Sequence, residues 1–143
     1  MLTIILCVYN EFGRLNIAYD DLYEEFKTFN EELEIIIIDN GSTDGTQEWI
    51  KSLQDPRVIK IFNKTNLGKG GSIRSGIAKA RGEYILIHDP DLEYSPRDIK
   101  PLLEIAQKRN ADLALGSRVL GGNNISYKYL QNYIGVAILT KLI

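Results

Sequence analysis

Two short and almost unbroken apolar runs, LTIILCV at residues 2–8 and LEIIII at residues 33–38, constrain the fold more than any other feature of this chain. A strand with one wet face alternates apolar and polar residues. These runs have no wet face, which is the pattern of strands covered on both sides of a parallel sheet. Both runs, and the shorter ones at 58–62, 84–87 and 112–115, alternate with stretches of helical spacing. Leu15, Ala18, Leu22 and Phe26 form one such stretch, with Asp20, Asp21, Glu24 and Glu25 outward. A second helix is expected from near Thr43 through Trp49, Ile50 and Leu53, stopping before Pro56. A third has Ile73, Ile77 and Ala80 as its core face and Gly82 as its C-terminal stop. A fourth carries Ile99, Leu102, Leu103 and Ala106, and a last apolar helix reaches residue 143. The expected fold is α/β: a doubly wound, mostly parallel five-stranded sheet with helices on both faces.

At 143 residues the chain has the size of one domain with a real core. A single cysteine, Cys7, excludes a disulfide scaffold, and no repeat or heptad pattern supports a solenoid or coiled coil. The first apolar run lacks a basic flank and a cleavage site, so no signal peptide is expected. No segment reaches the ~20 apolar residues of a membrane span. The net charge of −2 hides an asymmetry. Residues 1–60 carry 5 basic and 12 acidic side chains, whereas residues 61–143 carry 12 basic and 7 acidic, a bias that favours an anionic ligand. No nucleic-acid recognition motif accompanies it.

In open parallel sheets the ligand crevice lies outside the carboxyl ends of the strands. That rule selects residues 8–11, 39–44, 63–71 and 88–93, where every unusual polar cluster of the chain falls. Asp89-Pro90-Asp91 follows a buried strand; read as extended chain, it points both carboxylates to one side, with Glu93 next in the same series. Such hard oxygen donors suit Mg²⁺ or Mn²⁺, although an acidic turn capping the helix near Pro96 has the same composition. Asp39 is placed to accept from a ribose hydroxyl or a base N–H. Behind it, Gly41 and Gly45 permit tight turns, and Ser42, Thr43 or Asp44 can cap the next helix. Asn66-Leu67-Gly68-Lys69-Gly70-Gly71 lets backbone approach an anion at a helix start, with Lys69 as a point charge. A dinucleotide-binding G-x-G-x-x-G is absent after the first strand, and Lys69 does not sit in a Walker A loop. His88 and Cys7, one of each, make neither a catalytic pair nor a zinc set.

Taken in order, Val8-Tyr9-Asn10-Glu11, the string from Asp39 to Thr46, Asn66-Leu67-Gly68-Lys69-Gly70, the run from Asp89 to Tyr94 and Gly116-Ser117-Arg118 resemble the glycosyltransferase family 2 catalytic domain over essentially the whole chain. The resemblance implies a GT-A (Rossmann-like) fold and a metal-dependent, inverting transfer from a nucleoside-diphosphate sugar. It implies donor contacts from Val8, Tyr9, Asn10, Glu11, Asp39, Gly41, Ser42, Asn66, Gly68, Lys69, Asp89, Pro90 and Asp91. It implies a divalent metal, Mg²⁺ or Mn²⁺, on Asp89, Asp91 and Glu93, with Asp91 and Arg118 as the catalytic residues. Within the family the D-x-D-L-E-Y and G-S-R forms look most like dolichyl- or polyprenyl-phosphate mannose synthases, which implies a lipid-phosphate acceptor met by Arg118. A cytoplasmic protein, peripheral at a membrane face, follows from that. Family domains usually continue further, and no carboxylate side chain follows Asp112, so the single domain over 1–143 is expected to be truncated. Self-association through the apolar helix at 129–143 is a corollary. A nucleotidyltransferase making nucleotide sugars and a non-catalytic donor-binding fragment are the alternatives.

Overall fold

The computed structural model describes residues 1–27, 29 and 32–116. The elements follow one another as β1 (Leu2–Val8), α1 (Arg14–Phe26), β2 (Leu33–Asp39), α2 (Thr46–Ser52), β3 (Val58–Phe62), α3 (Gly68–Ile77), β4 (Tyr84–His88), a 3₁₀ turn (Pro96–Asp98) and α4 (Ile99–Arg109). The four strands are parallel in the order β3-β2-β1-β4. The two unbroken apolar runs are the two central strands, as continuous burial demands. The chain winds outward from β1 to β3, then crosses back to place β4 on the other side of β1. The order therefore reverses between β1 and β4, the place where such sheets take ligands.

Contact clustering divides the chain into two compact units, 1–103 and 104–143. In the first unit, one face of the sheet (Leu2, Ile4, Leu6, Val8, Ile35, Ile37) is covered by Leu15, Tyr19, Leu22 and Phe26 of α1, Ile50 of α2, and Ile99 and Leu103. Each fully buried aliphatic side chain contributes about 1.5–3 kcal/mol. Tyr19 fastens this layer: its ring meets Trp49 edge-on at 5.6 Å, and its hydroxyl donates to Asp55 Oδ2 at 2.8 Å. The other face carries Ile5, Ile36 and Ile38 under α3.

Helix α3 departs from expectation. Its buried residues are Ser72 and Gly76, while Ile77 is exposed. The reason is distance: a Cβ on Gly76 would lie 2.8 Å from Ile38 Cδ1 and 3.0 Å from Ile5, so only the small side of the helix fits against the sheet. Ile85 and Ile87 of β4, on the same sheet face, are exposed. Gly82 is not the helix stop either, since α3 ends at Ile77. Its amide donates to Thr3 Oγ1 at 2.9 Å, and a Cβ there would strike the Thr3 amide nitrogen at 2.6 Å. Helix α2 starts at Thr46 rather than near Thr43, because the intervening residues are bonded to neighbouring loops. In the second unit, residues 112–115 form no strand, and Leu113 and Leu115 are exposed. A four-residue run holds strand geometry only through ladder bonds, and the sheet has four strands among the described residues. The apolar stretch at 129–143 lies outside the described residues. Among those described, no helix is long and apolar enough to cross a membrane.

Candidate active site

The carboxyl ends of all four strands open on one edge of the sheet, and their loops are sewn together by hydrogen bonds. Leaving β1, Asn10 takes a left-handed backbone (φ 53°), which asparagine tolerates better than most residues. Its amide donates to Ser42 Oγ at 2.9 Å, and its side-chain oxygen accepts from the Thr43 amide at 2.8 Å. The next two amides continue the seam, Glu11 to Thr46 Oγ1 and Phe12 to Asp44 Oδ2, both at 3.1 Å. Ser42 and Thr43, expected as helix caps, thus hold the β1 loop. Asp44 does both, accepting from the Thr46 amide and hydroxyl as well; the hydroxyl bond first, and the Phe12 and Thr46 amides after it, keep its carboxyl below the usual range. Val8 is buried at the base of this loop, whereas Tyr9 and Phe12 stand exposed beside it.

Asp39 ends β2 opposite Val8 and is fully buried, with 0% of its surface exposed. Gly41 N (3.0 Å), Ser42 N (3.2 Å) and Gln47 Nε2 (2.7 Å) all donate to its Oδ2. The turn that allows this needs the positive φ of Gly41, 84°. The Gln47 amide thus occupies the acceptor expected for a base or ribose donor.

Asn40, which sequence reasoning passed over, joins this loop to the glycine-rich one. Its Nδ2 donates to Asn66 Oδ1 at 2.7 Å, and its Oδ1 accepts from Leu67 N at 2.9 Å and Asn63 Nδ2 at 3.1 Å. Asn66 Oδ1 also accepts from Gly68 N at 2.8 Å, which sets the first turn of α3. The sequence signals for Asn40 were its place one residue beyond a buried strand and inside the polar string from Asp39 to Thr46, which did not single it out from its neighbours.

From the start of α3, Lys69 reaches Asp89 beyond β4, Nζ to Oδ2 at 2.6 Å. That bond raises the Lys69 ammonium above its ordinary range. Nearby, burial first and the Asp89 charge second push the Cys7 thiol up to about 11, which makes it a protonated packing group and not a nucleophile. Burial likewise lowers His88 against the pull of Asp89 and Asp91. Pro90 is buried and Asp91 exposed. The segment is a turn, not extended chain: Leu92 is left-handed (φ 63°), and Asp91 Oδ1 accepts from Glu93 N at 3.0 Å. The alternation that was to align Asp89, Asp91 and Glu93 is therefore broken, because the chain reverses at Leu92. Among the described residues no group of three or more His, Cys, Asp or Glu side chains is gathered to hold a metal. Arg118 lies outside the described residues. A hollow of about 640 Å³ at the opposite end of the sheet, bordered by Lys27, Arg57 and Arg81, is not a rival site. Its three cations are already paired with Glu24, Asp55 and Glu34.

The fold and this edge define a parallel α/β domain whose polar strand-end loops meet at its topological switch point. The chain belongs to glycosyl transferase family 2, whose sequence profile matches residues 3–140. The dolichol-phosphate mannosyltransferase of Pyrococcus furiosus is 28% identical over 124 residues, 86% of this chain and 34% of that protein. The mannosyltransferase PcManGT from Pyrobaculum calidifontis, solved in complex with GDP-Man and Mn²⁺, is 26% identical with a TM-score of 0.55, over 63% of this chain and 27% of that one. S. aureus TarS 1–349 in complex with UDP-GlcNAc shares the fold, with a TM-score of 0.67 at 20% identity over 90% of this chain and 38% of that one. The chain spans about a third of the length of the curated relatives it matches. The expectation of a GT-A α/β fold thus holds.

Proposed function

We propose that this chain is the donor-binding part of a metal-dependent, inverting glycosyltransferase that uses a nucleoside-diphosphate sugar. The observation that carries the reading is the meeting of Lys69 and Asp89 at the β1–β4 switch point, beside the glycine-rich start of α3. A cation beside a glycine-rich helix start suits a diphosphate, and the hard carboxylates next to it suit the divalent ion that would accompany one. Asp39 lies on the opposite side of β1, two strand spacings or roughly 10 Å away. In this reading the loop that Asp39 organises takes the base and ribose, with Tyr9, Asn10, Glu11, Gly41 and Ser42 around them. Asn66, Gly68 and Lys69 face the diphosphate.

The donor chemistry fits a divalent ion of one kind. Mg²⁺ and Mn²⁺ are commonly held by one or two carboxylates together with substrate phosphate oxygens, without a protein-only cage. Asp89 and Asp91 supply such oxygens, which agrees with the lack of a three-ligand group among the described residues. The PcManGT complex with GDP-Man and Mn²⁺ supports the same reading. When bound, the ion would neutralise charge on the departing diphosphate. The residues of the chain then have two tasks: Asp39 and Asn40 fix the loops that orient the donor, and Lys69 neutralises the phosphates. The acceptor oxygen approaches the anomeric carbon from the face opposite the leaving group, giving inversion. A lipid phosphate acceptor, met by Arg118 at a membrane surface, draws support from the P. furiosus relative. Such an anionic nucleophile needs no general base.

The test is thermal stability with GDP, UDP, CDP and dTDP, with and without Mn²⁺, for the wild type and Asp91→Ala. A ligand at about 100 times its Kd stabilises a fold by roughly 2.7 kcal/mol. A Mn²⁺-dependent shift with one nucleotide, lost in Asp91→Ala, is the expected result. No shift with any nucleotide would overturn the reading, and a shift without sugar transfer would reduce the chain to a binding fragment.

A further inference from the structure

Lys69 and Asp89 are paired in the folded chain. The bond is short, 2.6 Å, and the Asp89 side chain is 28% exposed against 56% for Lys69, so the lysine is the less enclosed partner. A divalent ion on a carboxylate oxygen sits at about 2.0–2.1 Å for Mg²⁺. An ammonium donating to Asp89 Oδ2 would then stand close beside it, two cations on one oxygen. An ion on Oδ2 is free of that repulsion only once the lysine has left. Its destination is close at hand. Lys69 is the second residue of α3, and its neighbours Gly68 and Gly70 have open space where a side chain would be. A diphosphate at this helix start would therefore find the ammonium within the same turn.

We propose that Lys69 is a placeholder cation: it neutralises Asp89 while the donor is absent and is drawn off by the donor diphosphate, which frees Asp89 for the divalent ion. Metal and nucleotide then bind cooperatively, and metal alone binds poorly. This inference rests on the donor-site reading above and adds an order to it. Coupling of this kind is reciprocal, so the factor by which nucleotide tightens metal equals the factor by which metal tightens nucleotide.

The experiment counts free Mn²⁺ by electron paramagnetic resonance during titration of the 143-residue chain, alone and with saturating GDP, UDP, CDP or dTDP. Wild type, Lys69→Met and Lys69→Arg are compared, and melting curves confirm that each is folded. The wild type should bind Mn²⁺ at least tenfold more tightly with the productive nucleotide. Lys69→Met should bind Mn²⁺ alone about two- to fivefold more tightly than the wild type, the range expected for releasing a partly exposed ion pair. It should bind the nucleotide alone more weakly, and its coupling factor should fall below that of the wild type by the same two- to fivefold or more, while the phosphate oxygens shared with the ion keep it above one. Lys69→Arg should stay near the wild type. Unchanged or weaker binding of Mn²⁺ alone by Lys69→Met, with the wild type still binding the Mn²⁺–nucleotide pair, would overturn the placeholder role and leave the donor site standing. A wild type that takes up no Mn²⁺ with any of the four nucleotides would overturn both.

Discussion

Asn40 is the sharpest place to test whether the site is held by its loops. The side chain is 5% exposed and makes three hydrogen bonds, to Asn66, Leu67 and Asn63. Each is worth about 0.5–1.5 kcal/mol net. In Asn40→Ala the Leu67 amide belongs to an exposed residue and can turn to water, so the total should be near the lower end, about 2 kcal/mol. The functional cost is separate. With the clamp gone, one or two residues from Asn66 onward must be ordered by the nucleotide itself, at about 1 kcal/mol each. That corresponds to roughly five- to thirtyfold in affinity. Asn40→Asp sharpens the test. The aspartate can still accept from Leu67 and Asn63, but its second oxygen faces Asn66 Oδ1. Asn66 cannot rotate its amide to donate without abandoning Gly68 N. The aspartate should therefore resemble the alanine in nucleotide affinity despite its similar shape. Urea unfolding gives the first quantity and calorimetric titration with the productive nucleoside diphosphate the second. A stability loss under about 0.5 kcal/mol, or a full loss with unchanged affinity, would refute the reasoning.

Glu34 supplies a pH signature at the opposite end of the sheet. Burial pushes its carboxyl up, but bonds from the Arg81 amide and guanidinium and from the Thr3 hydroxyl outweigh it and hold the group below its ordinary value of 4.5. The unfolded chain therefore takes up the proton first on acidification. The stabilisation is complete above pH 4.5 and lost as pH falls through the lower folded value. Glu34→Gln should cost about 1–2 kcal/mol at neutral pH, and its deficit relative to wild type should shrink in acid urea titrations. Gly82→Ala should cost about 3 kcal/mol, because the added carbon would lie 2.6 Å from Thr3 N and Oγ1 and 2.8 Å from Tyr84 O. Gly70→Ala meets nothing within 4 Å and should leave the melting temperature unchanged or slightly raised.

The two central strands were legible because burial on both faces leaves an unbroken apolar run, and the strand ends then pointed to the loops that carry the polar clusters. The inner face of α3 was not legible from apolar spacing. A helix that approaches a sheet closely turns its small residues inward, and so Ser72 and Gly76 are buried while the isoleucine at 77 is outside. The Asp89–Glu93 segment misled for a different reason. Proline restricts its own φ and the residue before it. It does not govern Leu92, where the chain turns left-handed and ends the alternation. Residues 112–115 show the limit of short apolar runs, which need a partner strand before they become strands.

The polar string from Asp39 to Thr46 carries a further consequence. Its composition suggested ligand contacts with one residue left over as a helix cap. In the folded chain Asp39, Asn40, Ser42, Asp44 and Thr46 each accept at least one backbone N–H from this loop or a neighbouring one. The string is thus the frame on which the β1 loop and the glycine-rich loop are set, and its partners lie 23 to 35 residues away where bonds cross between loops. Lys69, Asp89 and Asp91 have no such duty in the frame: Lys69 and Asp89 bond each other, and Asp91 accepts within its own turn. Substitutions should consequently separate into two groups. Those in the string should lower stability and nucleotide affinity together, whereas those at Lys69, Asp89 and Asp91 should change metal and nucleotide binding while the melting curve stays close to that of the wild type.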